Sequence, residues 1–304
     1  MGKRDIALRI KSVRETRKIT RAMYLISASK FQKAKVMLDN VRPYYHKIQV
    51  TMKDILLHSG EVTSYYINNN KQKYNIDNKE EEQKPKKKCL IVVTGDKGLC
   101  GAYNHNVIKK AEEIIGGEKV NLMVVGEVGR RYFIKKGYDV DIEFLYTAQN
   151  PTTTAAGEIS DVILNAYNRG LTNEISIVYT EMEGLIQRVK VLRLLPLDIE
   201  NFMALASERE EGTENNGVQI DDDMIYEPSV TEVFDTLVPE YIKGLVYSIL
   251  VQAFASEHFA RMMAMDGATS NADKMINKLT LEYNKVRQAS ITQEISEIIA
   301  GASV

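Results

Sequence analysis

Residues 256–302 open with Ser256-Glu257-His258 and centre on Ala264-Met265-Asp266-Gly267-Ala268-Thr269-Ser270-Asn271-Ala272. They continue through Tyr283-Asn284-Lys285-Val286-Arg287-Gln288-Ala289-Ser290-Ile291-Thr292-Gln293-Glu294 to Gly301-Ala302. No proline follows Pro239 and glycines are few, so this is a helix-forming run longer than a globular domain needs. Met262, Met265, Ala268, Ala272, Ile276, Leu279, Tyr283 and Val286 recur at steps of three or four, close to the seam spacing of a coiled coil. The seam then moves to Ile291, Ile295 and Ile298 after a step of five, as a heptad discontinuity would produce. Such a seam needs a second helix.

The other end of the chain supplies one. Between residues 3 and 57 apolar side chains fall at Ile19, Met23, Ile26, Ala34, Met37, Val41, Tyr44, Ile48, Met52 and Ile55, with Lys and Arg on the remaining faces. Pro43 is expected to kink or interrupt this helix, because its ring removes a backbone donor and crowds the preceding turn. At 1.5 Å per residue the helix would be roughly 80 Å long, more than a compact domain can cover. Small residues, among them Ala22, Ser27, Ala28, Ala268 and Ala272, would let two helices approach closely. With a domain between them in sequence, the two runs pair most naturally as an antiparallel coiled coil.

That intervening segment reads as α/β. Cys89–Thr94, Val120–Gly126, Glu174–Thr180 and Arg188–Leu195 are short β-branched runs expected to be buried strands. Helical patterns at 103–115, 127–136 and 155–169 alternate with them, which predicts a Rossmann-like parallel sheet with right-handed crossovers. The expected organisation is a coiled-coil helix over 1–60, a polar insert over 61–88, the α/β domain over 89–205, an acidic loop or foot over 206–230 and a second coiled-coil helix over 231–304. The segment Tyr65–Lys88 has too little apolar content to fold by itself and reads as a loosely held loop.

The net charge of −1 over 304 residues conceals an asymmetry. Residues 1–57 carry fourteen Lys or Arg against four Asp or Glu, whereas 181–227 carry four against twelve. Opposed charge of this size suggests separate electrostatic partners. Cys89 and Cys100 cannot form a disulfide framework and lack Cys-x-x-Cys spacing. The charged start, Lys3-Arg4-Asp5, and the absence of a long apolar run argue against a secretory signal or a membrane helix, so membrane association is expected only through a partner.

Thr94-Gly95-Asp96-Lys97-Gly98-Leu99-Cys100-Gly101-Ala102-Tyr103-Asn104 is a glycine-rich turn between a strand and a helix, the place where a nucleotide phosphate could sit. The glycines do not fit Gly-x-Gly-x-x-Gly, and no Gly-Lys-Ser/Thr follows, so a tight structural turn is the better reading. His46, His58, His105 and His258 have no partner at metal-ligand spacing and are expected to be ordinary, partly exposed residues. Asp221-Asp222-Asp223 lacks the glycine and closing glutamate of a calcium loop. No catalytic residue, metal or cofactor is expected. Two other readings compete with a purely mechanical one: a nucleotide-binding α/β protein with a coiled-coil arm, and a basic-helix protein that contacts nucleic-acid phosphates. Against the second, the charges surround an apolar seam that matches a helix of the same chain.

Several segments together carry a resemblance. Arg4-Asp5-Ile6, Arg9-Ile10-Lys11-Ser12-Val13, Lys18-Ile19-Thr20-Arg21-Ala22-Met23 and Ala28-Ser29-Lys30 resemble the N-terminal helix of ATP synthase gamma subunits. Asp96–Asn104, Tyr226-Glu227-Pro228-Ser229 and 256–302 are similar to that family in the expected order, the polar insert around 66–87 and the acidic stretch near 208–223 being departures. The resemblance implies a rotor shaft: a left-handed antiparallel coiled coil inside a hexamer of alternating alpha and beta subunits, its foot on the c-subunit ring and the epsilon subunit. It implies collar contacts at Met23, Arg287, Gln288, Thr292 and Glu294, and a ring or epsilon contact at Glu227. It further implies no bond chemistry in the chain itself, a peripheral position on the cytoplasmic face of a bacterial membrane, and no nucleic-acid partner.

Overall fold

A computed structural model describes residues 2–58, 62, 64–67, 88–141, 144, 146, 148–184, 186–199, 202–203 and 226–302. Its elements run α1 (Lys3–His58), β1 (Lys88–Val93), α2 (Tyr103–Ile115), β2 (Val120–Val125), α3 (Glu127–Lys136), α4 (Thr153–Asn168), β3 (Glu174–Glu183), β4 (Ile186–Leu195) and α5 (Val230–Ala302). The chain divides into two compact units, one formed by Met1–Lys30, Leu99–Gly101 and His258–Val304, the other by Phe31–Gly98 and Ala102–Glu257. Most of the 66–87 insert and the whole 208–223 acidic stretch lie outside the described residues.

The α/β unit is built on a four-stranded sheet of order β2-β1-β3-β4. β1 pairs in parallel with β2 and β3, whereas β4 runs antiparallel to β3. The all-parallel expectation is therefore corrected at its last strand. Too few residues separate β3 from β4 for a crossover, and the hairpin turns at Gly184, whose φ of +64° suits glycine. β1 is apolar along both faces because both are covered. Leu90 and Val92 pack with Val107, Ile108 and Ala111 of α2 and with Phe133 of α3. Cys89, Ile91 and Val93 belong to the opposite core, with Ile159 and Ile163 of α4, Met52 and Ile55 of α1, and Val246 and Phe254 of α5. Burial pushes the Cys89 thiol up to about 12, so it behaves as a packing residue with no reactive thiolate. β4 is the exposed edge, its side guarded by Lys190, which pairs with Glu181 at 2.7 Å and Glu183 at 2.9 Å.

Residues 65–67 are not the loose loop expected of them. The Tyr65 hydroxyl donates to the Tyr167 carbonyl at 3.1 Å, the Leu197 N–H donates to the Tyr66 carbonyl at 2.7 Å, and Ile67 is buried. Ser64 holds this segment further by donating to the Asp235 carboxylate.

The second unit is the helix pair. Ile6 and Ile10 of α1 form a buried cluster with Leu279 of α5, joined by Val13, Tyr283 and Val286. Arg17 bonds Asp273 at 2.6 Å, and the Thr20 and Thr269 hydroxyls meet at 2.8 Å. Partner numbers fall along α5 as they rise along α1, so the helices are antiparallel, as expected. The α5 seam follows its predicted register: Met265, Ala272, Ile276 and Leu279 are buried. The α1 seam does so only in its second half, where Ala34, Ile48, Met52 and Ile55 are buried. Ile19 and Ile26 are exposed, 62% and 58%, and Ala22 is also exposed, because the buried stripe passes through Ile6, Ile10, Thr20 and Ser27. Farther along α1, Tyr45 is buried and the predicted Tyr44 is exposed. Pro43 lies on an exposed face and the helix continues past it, so no break occurs there. The proposed seam shift at Ile291, Ile295 and Ile298 is likewise corrected, since all three are exposed.

His258, expected to be partly exposed, is buried. Burial first, then the nearby charges of Arg261 and Lys30, hold it down to about 3 from an ordinary 6.5. Its Nδ1 accepts from the Arg261 guanidinium at 3.3 Å, as a neutral imidazole can. Between those two pH values the unfolded chain binds a proton that the folded chain refuses, so this group's stabilisation is present above pH 6.5 and is lost as pH falls towards about 3. His258→Gln is expected to remove that dependence. In thermal scans at pH 7 and pH 4.5, the wild-type midpoint should fall more than that of the variant; equal falls would contradict the assignment.

Candidate partner interface

The start of the glycine-rich turn after β1 is tied into the fold. The Asp96 carboxylate accepts the Glu127 N–H at the start of α3 and the Ala148 N–H, both at 3.1 Å. Those are donors that a phosphate could otherwise have taken. The Asn104 side chain accepts the Gly95 N–H at 2.8 Å, and the Thr94 hydroxyl donates to the Val125 carbonyl while accepting the Gly129 N–H, both at 3.0 Å. Three segments converge here and hold one another. The arrangement fits the tight-turn reading. Among the described residues no group of His, Cys, Asp and Glu is placed to hold a metal ion, and no helix is long and apolar enough to cross a membrane.

The surface with interaction chemistry lies on the helix pair. Beyond Val286, α5 carries Arg287, Gln288, Thr292 and Glu294, all exposed. The Thr292 hydroxyl donates to the Gln288 carbonyl at 2.9 Å, and the Ser290 hydroxyl donates to the Glu294 carboxylate at 3.2 Å, so these polar groups are held by their own helix. Ile295, Ile298 and Ile299 are interleaved with them and exposed, up to 71% at Ile298. These exposed apolar and polar side chains make the end of α5 the candidate contact surface. Met23 is half-buried on α1. The register set by Thr20 and Thr269 puts it near Met265, roughly 30 Å along the axis from Arg287. Met23 and the Arg287 group thus form two levels of one rod. Glu227 is exposed just before α5 and belongs to the other unit. Ile19 and Ile26, taken for seam residues from their size, are further exposed candidates on either side of Met23.

The model of a family described as ATP synthase matches residues 2–304. The ATP synthase gamma chain of Caldanaerobacter subterraneus subsp. tengcongensis is 70% identical over 304 residues, covering 100% of both chains. The chain belongs to the ATP synthase gamma-chain family. The gamma chain of Ruminiclostridium cellulolyticum is 48% identical over 303 residues, covering 99% of this chain and 97% of its own. A chain of the Euglena gracilis mitochondrial ATP synthase, solved with its OSCP, F1 and c-ring parts, shares the fold with a TM-score of 0.64 at 17% identity, covering 99% of this chain and 93% of its own. Membership makes the protein a gamma subunit of an ATP synthase complex. The paired terminal helices and the interposed α/β unit are the parts from which this gamma chain is built.

Proposed function

We propose that the chain is the non-catalytic rotor shaft of its complex, coupling proton or sodium-ion flow through a c-subunit ring to conformational cycling of catalytic beta subunits. The observation that carries this reading is the exposed end of α5: past Val286 the helix keeps its fold while presenting Arg287, Gln288, Thr292 and Glu294 among exposed isoleucines. In this reading those four residues and Met23 touch the collar of alpha and beta subunits, and Glu227 touches the ring or the epsilon subunit. An asymmetric shaft acts by contacting the three catalytic conformations unequally, which is the only way a partner shifts such an equilibrium. Isoleucines slide against an apolar sleeve without directional bonds, while the polar groups catch intermittently. The subunit sits at the cytoplasmic face of a bacterial membrane, held there by the ring, and has no nucleic-acid partner. Purification of the tagged chain from its native membrane tests this. Recovery of alpha, beta, epsilon and c subunits in fixed proportion is expected; recovery of the chain alone, or with nucleic acid, would overturn it.

A further inference from the structure

Within the α/β unit, one short stretch of α5 is stitched to its surroundings by directional contacts. The Tyr103 hydroxyl, at the start of α2, donates to the Ala253 carbonyl at 3.2 Å. The Gln187 side-chain amide on β4 donates to the Ser256 carbonyl at 2.6 Å, and the Ser256 hydroxyl donates to the Thr180 carbonyl on β3 at 3.0 Å. At the end of β1, Gly95 lies so close to Glu257 that an added Cβ would stand 2.8 Å from the Glu257 carboxyl carbon. Gly95 is outside the left-handed region, so it is space and not backbone conformation that excludes a side chain there. Ser256 and Glu257 are themselves buried, 0% and 5% exposed.

The preceding turns of α5 are packed by apolar side chains. Val246, Leu250 and Val251 belong to the apolar core, and apolar packing is non-directional, so it resists separation better than it resists rolling of a helix about its own axis. Hydrogen bonds fix orientation. Here they reach one face of the helix from separate elements, and two use the second lone pair of a helical carbonyl. Buried polar groups in an otherwise apolar contact cost stability when left unpaired, so their pairing sets a single rotational register.

We infer that Ala253–Glu257 is the torsional joint between the sheet and the long helix, where Tyr103, Gln187, Ser256 and the Gly95–Glu257 contact act as positioning residues for coupling. The inference rests on the rotor reading above. Torque applied to the helix turns the sheet only if the helix cannot roll within its socket, and these contacts are what prevents rolling.

The test uses the whole complex in sealed vesicles, measuring ATP hydrolysis and ions pumped per ATP. In the Tyr103→Phe, Gln187→Ala, Ser256→Ala triple variant, ions pumped per ATP should fall by about threefold while hydrolysis and subunit content persist. Gly95→Ala should lower the ratio in the same way, because the new Cβ displaces the Glu257 carboxylate. Adding Glu257→Asp, which shortens that side chain and keeps its charge, should restore it. A merely structural role would lower the melting temperature and the yield of complex without changing the ratio. An unchanged ratio in both the triple and the Gly95→Ala complexes would overturn the joint; should one variant fail to assemble, the other decides alone. Failure of the wild-type chain to support coupled pumping would instead overturn the rotor reading.

Discussion

Gly126→Ala is expected to cost a large part of the stability of the α/β unit. Gly126 has φ 92° and ψ 140°, a conformation that a side-chain-bearing residue adopts only under strain. Its added Cβ would also stand 2.2 Å from the Thr94 carbonyl oxygen and 2.7 Å from the carbonyl carbon. Those are backbone atoms at the end of the central strand, and they cannot swing aside as a flexible side chain could. Thr94 is fixed in place because its N–H donates to the Val125 carbonyl at 2.9 Å, and Gly126 itself donates to the Tyr146 carbonyl at 3.0 Å. Backbone strain and overpacking together should cost about 3 to 5 kcal/mol, a large part of a typical domain's 5–15 kcal/mol. Urea unfolding of the purified chain measures it. Gly98→Ala is the control, since a Cβ there meets nothing within 4 Å. Equal midpoints for the two variants would refute the account of this turn.

The second large effect is expected at the end of α5. Arg287 and Gln288 are exposed and adjoin Val286, the last α5 residue of the buried cluster formed with Ile6 and Ile10. Neither side chain is needed to hold the helix pair together. An arginine at a protein contact can make charge-assisted bonds worth about 1.5 to 3 kcal/mol each when partly desolvated. Arg287→Ala with Gln288→Ala should therefore leave the circular dichroism of the chain unchanged and lower ATP turnover by the assembled complex, or its retention of subunits, by about tenfold. Full turnover in a fully assembled complex would remove the pair from the collar contact.

The positions of helices and strands were legible because the patterns that encode them are local. The α5 seam was readable from Met265, Ala272, Ile276 and Leu279, where the buried residues are also the apolar ones. Along α1, Ala34, Ile48, Met52 and Ile55 are legible in the same way, but towards its start the inner stripe includes Thr20 and Ser27, whereas larger apolar residues, Ile19 and Ile26, face outward. A hydroxyl that finds its partner on the facing helix, as Thr20 does at Thr269, is invisible to a hydrophobicity pattern. The antiparallel β4 was within reach: Gly184 and the short interval after Glu183 leave no room for a crossover. The contact residues are another matter. Met23, Arg287, Gln288, Thr292, Glu294 and Glu227 were singled out by family resemblance, since residues that await another chain leave no periodic trace in their own. The stitches at Tyr103, Gln187 and Ser256 required the tertiary fold, because sequence separations of 69 to 150 residues join them.

The central claim is that this chain turns inside a catalytic hexamer. A complex of the chain with alpha and beta subunits, immobilised through the hexamer and carrying a bead on the α/β unit, tests it under a microscope with ATP supplied. Sustained rotation of the bead in one direction, stopping when ATP is withdrawn, is the result expected. A bead that stays fixed, or only fluctuates, while the same complex hydrolyses ATP at its normal rate would contradict the account.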